Sequence, residues 1–226
     1  MSAIKLTSNE DQYIPDVDVL TPFKQLIEPN SQTEPNLAKA IRHITSNPGS
    51  FIRCRMAWEV GFLSGLSVSS CTNLAIAVEY FHTASLIFDD LSCMDDAGTR
   101  RGSSCVHVLY GEAVAMLTAL AFINKAYQLI WSETAELSSE SVITVSNFVE
   151  SCLGTAGILS GQSRDISFGP KDNTPEKILQ ISAEKTVTLL KLSLCLPALV
   201  AEQPESTVSL LSDLSNVRGL ASQIAD

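Results

Sequence analysis

The sequence is poor in cations and aromatic residues, and its cysteines and histidines form no metal-binding pattern. Lys and Arg total 15 against 25 Asp and Glu, so the formal net charge is −10. This balance excludes an extended phosphate-binding surface, and we expect no nucleic-acid partner. The six cysteines include no CxxC pair, and the three histidines lie at no zinc-ligand spacing. In a chain of 226 residues we therefore expect reduced thiols rather than a disulfide framework.

The sequence also lacks a recognisable targeting segment and a clear membrane span. Residues 1–19 carry one lysine and several acidic residues before any apolar run, unlike a signal or transit peptide. Residues 60–78 are uncharged and long enough to span a bilayer, but Ser, Thr, Asn and Gly interrupt their middle. This interruption predicts two buried helices joined by a turn. We expect a soluble, cytoplasmic protein with no transmembrane segment.

Apolar residues recur at helical spacing through most of the chain, and no regularly spaced alternating runs predict a sheet. The pattern predicts an all-α fold in a single domain over residues 1–226, in which residues 1–34 form an N-terminal helix and connector. The predicted helices cover residues 17–27, 37–45, 51–66, about 70–90, 111–131, 138–160, 175–200 and 208–226. Pro35 is expected in the opening turn of the second helix, and Ser70 or Thr72 at the start of the fourth.

The segment FHTASLIFDDLSCMDDAGTRRG, residues 81–102, carries the most information about function. It is an apolar helix followed by four aspartates and two arginines, namely Asp89, Asp90, Asp95, Asp96, Arg100 and Arg101. Clustered carboxylates raise one another's pKa unless cations neutralise them. Mg²⁺ is usually held by one or two carboxylates with substrate phosphates and water, and Arg fits phosphate oxygens. The segment predicts a metal and diphosphate site beside an apolar pocket; the plainer alternative is a solvated helix terminus.

The same segment resembles the first aspartate-rich motif of the trans-isoprenyl diphosphate synthases, the polyprenyl synthetase family of geranylgeranyl and farnesyl diphosphate synthases. The form DDxxxxD followed by RRG carries the resemblance, which runs from about Gly49 to the last residue because further landmarks occur in the family's order. These landmarks are His82, Gln162 and Asp165 in GQSRD, Lys185 and Thr186 in EKT, and Gln223 and Asp226 in GLASQIAD. The resemblance implies an isoprenoid synthase-type helical bundle around a central apolar cavity.

The resemblance further implies a Mg²⁺-dependent prenyltransferase that condenses isopentenyl diphosphate with an allylic diphosphate to give a longer trans-prenyl diphosphate. The implied metal ligands are Asp89, Asp90, Asp95, Asp165 and Asp226. The implied catalytic residues are Asp89, Asp90, Asp95, Arg100 and Lys185. The implied substrate-binding residues are Arg53, His82, Arg100, Arg101, Gln162, Lys185, Thr186 and Gln223. The family also implies a homodimer, or a heterodimer with a related synthase.

Product length in this family depends on the side chains four and five residues before the first aspartate, which here are Ser85 and Ala84. Both are small, so the resemblance implies that the growing chain passes them and extends toward Phe81 or Tyr80, about one helical turn deeper. We therefore expect a geranylgeranyl-like or longer product rather than farnesyl diphosphate, with Phe81 as the floor of the pocket.

The sequence departs from the family pattern in two places. The GKRxRP loop, which grips the homoallylic diphosphate, appears as GSFIRC, so Gly49 and Arg53 remain while Ser50 and Phe51 replace two cations. Each lost charge-assisted contact weakens binding by about 1.5 to 3 kcal/mol. The sequence also ends at Asp226, one residue into the second aspartate-rich motif, and we expect it to be truncated, with the C-terminal helices of the bundle missing.

Three other functions remain open at this point. Ser50 and Phe51 favour a catalytically weak or regulatory subunit that pairs with an active synthase, whereas the complete DDxxxxD and RRG motifs oppose it. A terpene cyclase of the same helical type would use an aspartate-rich motif but has no need of RRG. A structural helical domain is the third alternative.

Overall fold

A computed structural model describes residues 17–167 and 174–225, with side chains outside 175–186 and 220–225. In this part of the chain the fold is all-α, as predicted, and the helices pack together in a bundle. The helices are α1 Leu20–Gln25, α2 Pro35–Ser46, α3 Ile52–Leu63, α4 Val68–Asp89, α5 Val106–Tyr110, α6 Glu112–Thr134, α7 Ser139–Leu153, α8 Ile158–Ile166, α9 Pro175–Val200 and α10 Glu205–Ala225. Two short strands, β1 Thr99–Arg100 and β2 Ser103–Ser104, pair antiparallel between α4 and α5.

The central element of the bundle is α4, which packs against α3, α6 and α9. Its side chains are buried on nearly every side, because an apolar run without polar periodicity is stable only inside a core. Ser67 is the N-cap, and its Oγ accepts a hydrogen bond from the backbone N–H of Ser70 at 3.1 Å. The prediction of Ser70 or Thr72 at this position is therefore wrong. Thr72 lies inside the helix and donates its hydroxyl to the carbonyl of Val68 at 2.8 Å.

The uncharged residues 60–78 form two helices joined by a turn, which confirms the sequence prediction. The first, α3, ends at Leu63, and α4 begins at Val68. Gly65 between them has φ +91°, a left-handed conformation that glycine adopts without a steric penalty. Two other stretches, Glu112–Thr134 and Ser139–Ile166, are long and apolar enough to cross a bilayer. This is weak support for a membrane role, because core helices pass the same test, and a turn interrupts the second stretch.

The single helix predicted over residues 138–160 is wrong, because the structure has two helices, α7 and α8, with a turn between them. A side chain at Gly157 would place its Cβ 2.1 Å from the carbonyl oxygen of Cys152. A Cβ at Gly154 would likewise lie 2.6 Å from the carbonyl oxygen of Glu150. The two glycines therefore permit a close backbone approach that ends α7. As a result α8 is a separate helix, and some of its side chains line the cavity described below.

Smaller differences concern element ends and the loop after α4. Helix α10 starts at Glu205, directly after Pro204, rather than at residue 208. The carbonyl oxygen of Pro204 accepts the backbone N–H of Val208 at 3.2 Å, so the helical hydrogen bonds begin at Pro204. Helix α5 and the β1–β2 ladder were not predicted, because runs of two to five residues carry no periodic signal. All six cysteines are free thiols, and five of them are buried.

An aromatic cluster fixes the N-terminal helix to the core. Helix α1 is shorter than the predicted 17–27, and it begins where Asp18 Oδ1 accepts a hydrogen bond from the N–H of Leu20 at 3.0 Å. Phe23 of α1 packs edge-on against Phe51, with ring centroids 5.1 Å apart. The hydroxyl of Tyr80 donates to the Phe23 carbonyl oxygen at 2.8 Å, so the segment is held by packing and by a buried hydrogen bond.

Candidate active site

A cavity of about 430 Å³ lies beside the C-terminal half of α4, with α8 on its other side. Its lining is Arg53, His82, Ser85, Leu86, Phe88, Asp89, Met94, Ile158, Leu159, Gln162 and Leu189. His82 and Asp89 are two helical turns apart on α4, which separates them by about 10 Å along the helix axis. The wall between them is mainly apolar. The cavity therefore has two polar regions joined by a surface that suits a hydrocarbon chain.

The first polar region is the end of α4, where the chain folds back on itself. Asp89 is the last residue of α4 and is buried, and the backbone N–H of Asp95 donates to the Asp89 carbonyl oxygen at 2.9 Å. The N–H of Ala97 similarly donates to the carbonyl of Asp90 at 3.2 Å. These bonds bring the first and last aspartates of DDxxxxD to the same end of the helix. Asp95 is exposed, and Asp89 lines the cavity.

Asp90 lies next to Asp89 in the sequence, but it lines a different, smaller pocket of about 40 Å³ together with Arg100 and Arg101. Arg100 Nε lies 2.5 Å from Asp90 Oδ1, and this ion pair is largely buried on the aspartate side. The negative charge of Asp90 is therefore balanced by Arg100 within the fold. Its predicted role as a metal ligand stays a prediction.

The second polar region, here called the arginine region, consists of Arg53 and His82, which line the cavity, and of Arg101, whose charge acts on both from the neighbouring pocket. A buried carboxylate, that of Glu79, lies on α4 one turn before His82. Glu79 is 2% exposed, and it accepts a hydrogen bond from the backbone N–H of Cys54. Burial raises the pKa of Glu79, and the positive charges of Arg101 and Arg53 oppose this effect. Within the part of the chain that the structure describes, three buried polar atoms here have no hydrogen-bond partner: Arg53 Nε, Glu79 Oε2 and His82 Nδ1. Such atoms indicate a place for a polar ligand.

His82 is neutral in this environment. Burial, together with the positive charges of Arg53, Arg101 and Arg100, lowers its pKa to about 3. A neutral imidazole can still donate one hydrogen bond to a phosphate oxygen. The positive charge of this region therefore comes from the arginines and not from the histidine.

Gly49 determines where the Arg101 guanidinium can lie. A Cβ at Gly49 would be 2.4 Å from Arg101 Nη2 and 2.6 Å from Arg101 Cζ. The side chain of Arg101 therefore packs directly on the glycine backbone, in a space that any larger residue would fill. This contact gives the predicted Gly49 landmark a physical role in the arginine region.

The two positions at which the sequence lacks the expected cations differ in structure. Ser50 is exposed, whereas Phe51 is buried and packs against Phe23 in the aromatic cluster. Phe51 also adopts φ +57°, which is unusual for a residue with a bulky side chain. Phe51 therefore contributes to the core, and neither position provides a charge to the cavity.

The remaining predicted diphosphate and metal residues lie on α8, α9 and α10. Gln162 lines the cavity, and its Nε2 lies 3.8 Å from the Met94 sulfur, which links α8 to the loop after α4. Asp165 is exposed on α8. The other four predicted residues are placed by the backbone alone or lie outside the described residues: Lys185 and Thr186 on α9, Gln223 on α10, and Asp226 after it. Their predicted roles stay predictions.

Of the residues predicted to limit product length, Ser85 lines the cavity. Ala84 and Phe81 are buried in the core next to it, and the Phe81 ring packs edge-on against Tyr127 with centroids 5.0 Å apart. An extension of the cavity past Ser85 therefore requires these aromatic rings to move or to be replaced. The assignment of Phe81 as the floor stays a prediction.

Mg²⁺ is the metal that the site chemistry implies, and the carboxylates at the end of α4 fit it. Among the described residues no three His, Cys, Asp or Glu side chains form a cluster that holds a metal on its own. Mg²⁺ does not require one, because it is commonly bound by one or two carboxylates together with substrate phosphates and water. Asp89, which lines the cavity, and Asp95, which is exposed at the same end of α4, would provide hard oxygen ligands, and a diphosphate would supply the others.

Sequence reasoning missed several residues of this site, of which Glu79 is the most informative. Glu79 is the only charged residue between residues 74 and 88, which was the available signal, since an isolated carboxylate in an apolar helix must have a partner. The apolar lining residues Met94, Ile158 and Leu189 were also missed. They come from three different segments, so no local pattern identifies them.

Comparison with known proteins identifies similar sequences and folds. The family model for polyprenyl synthetase matches residues 34–226. The chain is 36% identical to a geranylgeranyl diphosphate synthase of Pantoea ananas over 192 residues, 83% of this chain and 62% of that protein. It is 32% identical to a farnesyl diphosphate synthase of Bacillus subtilis (strain 168) over 192 residues, 84% of this chain and 65% of that protein.

The fold resembles that of a Helicobacter pylori geranyltransferase solved with magnesium and isoprenyl diphosphate. The TM-score is 0.80 at 24% identity, covering 92% of this chain and 70% of that one. The chain spans less than two thirds of the length of the two curated relatives, 62% and 65%. The match supports the bundle architecture around the cavity.

Proposed function

Because the chain belongs to the polyprenyl synthetase family, we propose that the protein is a Mg²⁺-dependent prenyltransferase. It condenses isopentenyl diphosphate with an allylic diphosphate to give a longer trans-prenyl diphosphate. The observation that carries this proposal is the 430 Å³ cavity, in which an apolar wall connects the Asp89 end to the arginine region around Arg53. Two diphosphate substrates need one diphosphate site each, with a dry surface between the sites where their hydrocarbon parts meet.

The allylic diphosphate binds at the Asp89 end. Asp89 and Asp95 would hold Mg²⁺ there, and the ion would supply positive charge for the leaving diphosphate. Lys185 and Thr186 are assigned to the same diphosphate by the family motif. Ionisation breaks the C–O bond of the allylic substrate and leaves a carbocation. Water must be kept from this cation, and the apolar side chains of Leu86 and Phe88 on the wall do so.

Isopentenyl diphosphate binds at the arginine region. Arg53 and Arg101 contribute positive charge there, and neutral His82 contributes a hydrogen-bond donor. The double bond of isopentenyl diphosphate attacks the carbocation, and a proton then leaves the adduct. The departing diphosphate is the base that accepts it. Two buried polar atoms without partners in the described residues, Arg53 Nε and His82 Nδ1, support a polar ligand at this place.

The product is of geranylgeranyl type. Ser85 is the small cavity-lining residue on α4, so the cavity is open at this turn, and the rings of Phe81 and Tyr127 limit its extension beyond it. The similarity to geranylgeranyl diphosphate synthases supports this chain length. Farnesyl diphosphate is the alternative product, because the chain is also similar to a farnesyl diphosphate synthase.

The protein acts as a dimer that uses one face of α6. Met116, Leu117 and Leu120 are exposed on this helix, at spacings that put them on adjacent parts of one surface. We expect Leu120→Glu to shift the protein from dimer to monomer in analytical ultracentrifugation. Ile143→Glu is the matched control, because Ile143 is an equally exposed apolar residue on α7. A dimer that survives Leu120→Glu would place the interface elsewhere.

A second candidate function is a subunit that is inactive alone and pairs with an active synthase. The absence of charge at Ser50 and Phe51 favours it, because a weaker site for isopentenyl diphosphate lowers turnover. The two functions differ in one measurement. Only the first gives elongated diphosphates when the purified protein acts alone.

The test is to incubate the full protein with Mg²⁺, isopentenyl diphosphate and each allylic diphosphate, and to identify products by chromatography and mass spectrometry. We expect elongated trans-prenyl diphosphates that disappear with Asp89→Asn and with EDTA. Glu150→Gln is the control for loss of a carboxylate, because Glu150 lies on α7 and does not line the cavity. No product from any allylic substrate, combined with stimulation of a related synthase, would favour the regulatory subunit.

A further inference from the structure

The hairpin formed by β1 and β2 carries two arginines, and its turn has an unusual backbone conformation. The strands pair over two residues each, and Arg101 and Gly102 form the two-residue turn between them. Both turn residues have positive φ, +54° at Arg101 and +75° at Gly102, as in a type I′ turn. Glycine adopts this conformation freely, whereas an arginine does so at a cost in free energy. A ladder of two pairs is also marginal alone, so contacts from outside must hold the hairpin in place.

One such contact comes from the last turn of α2. His43 Nε2 lies 2.8 Å from the carbonyl oxygen of Ser104 in β2, which is 61 residues away in the sequence. A carbonyl oxygen only accepts hydrogen bonds, so His43 Nε2 carries the hydrogen and donates it. The imidazole ring also packs edge-on against Tyr110 of α5, with ring centroids 6.1 Å apart. His43 therefore joins the base of the hairpin to α2.

Two further contacts hold the hairpin between α2 and α4. Arg100 of β1 forms an ion pair with Asp90 after the end of α4, with Nε 2.5 Å from Oδ1. The Arg101 guanidinium lies against the backbone of Gly49, three residues after the end of α2. The hairpin is therefore attached to α4 by an ion pair and to α2 by the hydrogen bond from His43.

The side chains of His43, Arg100 and Arg101 line one small pocket of about 40 Å³. This pocket adjoins the cavity, because Leu86 of α4 lines both of them. His43 itself does not line the cavity. The hairpin therefore places its arginines next to the cavity, and His43 can influence a ligand there only through the hairpin.

We propose that His43 is a positioning residue, whose hydrogen bond to Ser104 fixes the hairpin so that the Arg101 guanidinium is held next to the cavity to bind a diphosphate. The identity of that diphosphate, isopentenyl diphosphate, rests on the proposed function. His43 acts through the backbone of the hairpin and does not contact the substrate. Without this bond the Ser104 carbonyl loses a partner and the hairpin loses its attachment to α2, so the turn that carries Arg101 shifts.

Three roles of His43 give different results in two variants. His43→Phe keeps a ring for packing against Tyr110 but has no donor. His43→Gln has neither ring nor charge, but its amide N–H can donate to the Ser104 carbonyl. If only packing mattered, His43→Phe would bind a diphosphate normally, and if a charged imidazole mattered, both variants would bind it weakly. Positioning through the hydrogen bond predicts weak binding by His43→Phe and near-normal binding by His43→Gln.

The experiment is titration of the full chain with inorganic pyrophosphate by calorimetry in metal-free buffer containing EDTA. Without a divalent cation the carboxylates at the end of α4 repel the anion, so binding reports the arginines. We expect His43→Phe to weaken binding about tenfold, the loss of one charge-assisted contact, and His43→Gln to stay within about threefold of the unchanged protein. Glu28→Ala is the matched control, because it removes another contact of α2, the 2.8 Å ion pair with Arg42, and should leave the affinity unchanged.

Three outcomes of this titration would overturn the proposal. Unchanged binding by His43→Phe would mean that the hydrogen bond to Ser104 does not position Arg101. Equally weak binding by both His43 variants would assign the effect to the imidazole itself. No measurable binding by the unchanged protein would mean that the arginines hold no diphosphate.

A second variant tests the hairpin without altering His43. A Cβ at Gly102 would meet no atom within 4 Å, so Gly102→Ala acts only through the positive φ of the turn. We expect it to weaken pyrophosphate binding too, whereas Gly98→Ala, equally open but without positive φ, should not. Normal binding by Gly102→Ala would contradict the proposal, because the hairpin conformation would then not position Arg101. A protein that forms no elongated product but shows the expected binding pattern would refute the proposed function and leave the role of His43 intact.

Discussion

Replacement of Gly49 by alanine should weaken substrate binding and leave the stability of the fold almost unchanged. The new Cβ would lie 2.4 Å from Arg101 Nη2, 2.6 Å from Cζ and 2.9 Å from Nη1, closer than atoms can approach. The atoms in conflict are the end of a flexible side chain, so Arg101 can move away while the backbone stays in place. Gly49 is not among the glycines with positive φ, so alanine causes no backbone strain here.

The expected magnitude follows from the loss of one guanidinium contact. A charge-assisted hydrogen bond contributes about 1.5 to 3 kcal/mol, which corresponds to about a tenfold to hundredfold rise in KM for isopentenyl diphosphate. The effect on stability should be small, because alanine loses less backbone entropy than glycine on folding, and this offsets the displaced side chain. We expect the melting temperature to change by less than about 4 °C.

The assay is steady-state kinetics with each substrate varied in turn, together with thermal unfolding. We expect KM for isopentenyl diphosphate to rise while KM for the allylic diphosphate stays within about twofold, since the Asp89 end is untouched. Gly98→Ala is the matched control, because Gly98 has no atom within 4 Å of its Cβ position. A normal KM for isopentenyl diphosphate in Gly49→Ala would mean that Arg101 does not bind this substrate, and the arginine region would need another explanation.

Three further predictions follow from the same structure. Arg100→Leu leaves the buried carboxylate of Asp90 without its 2.5 Å partner. The free energy of unfolding, measured in urea, should therefore fall by about 2 kcal/mol. An unchanged free energy of unfolding would show that the ion pair does not stabilise the fold. His82 is neutral when folded, with a pKa of about 3 against an ordinary value of 6.5, so the unfolded state binds the extra proton and stability falls as pH decreases between these values. His82→Gln should reduce the loss of unfolding free energy between pH 7 and pH 4.5, and an identical loss in both proteins would contradict the assignment. Ser85→Phe should shorten the product by at least one isoprene unit, and Phe81→Ala should lengthen it, as product analysis would detect; unchanged lengths in both would place the prenyl chain elsewhere.

The helical class and most helices could be predicted from the sequence because each long helix buries an apolar face. Periodicity located α6 and α9, and the polar interruption within residues 60–78 correctly separated α3 from α4. The aspartate motif also indicated the end of α4 at which Asp89 lines the cavity. These features are local, so a sequence contains the whole signal for them.

Features that depend on contacts between distant segments could not be predicted in the same way. The break between α7 and α8 results from the close approach of Gly157 to the Cys152 carbonyl, which an apolar pattern over residues 138–160 does not reveal. The orientation of the Asp90 side chain could not be predicted from the sequence either. Asp89 and Asp90 are neighbours in one motif, and the sequence does not distinguish them. They line different pockets, and strand β1 places Arg100 beside Asp90 only.

The family pattern has cationic residues at positions 50 and 51, and their replacement by Ser and Phe affects both the fold and the proposed substrate site. By sequence, Ser50 and Phe51 are equivalent losses of charge. In the structure, Ser50 is exposed at the surface, whereas the Phe51 ring fills the space between Phe23 and the core. Full burial of an aromatic side chain contributes about 1.5 to 3 kcal/mol, comparable to one charge-assisted contact with a diphosphate. Under the proposed function, Phe51 therefore attaches α1 to the core at the cost of affinity for the second diphosphate, and Arg53 and Arg101 would provide the affinity that remains.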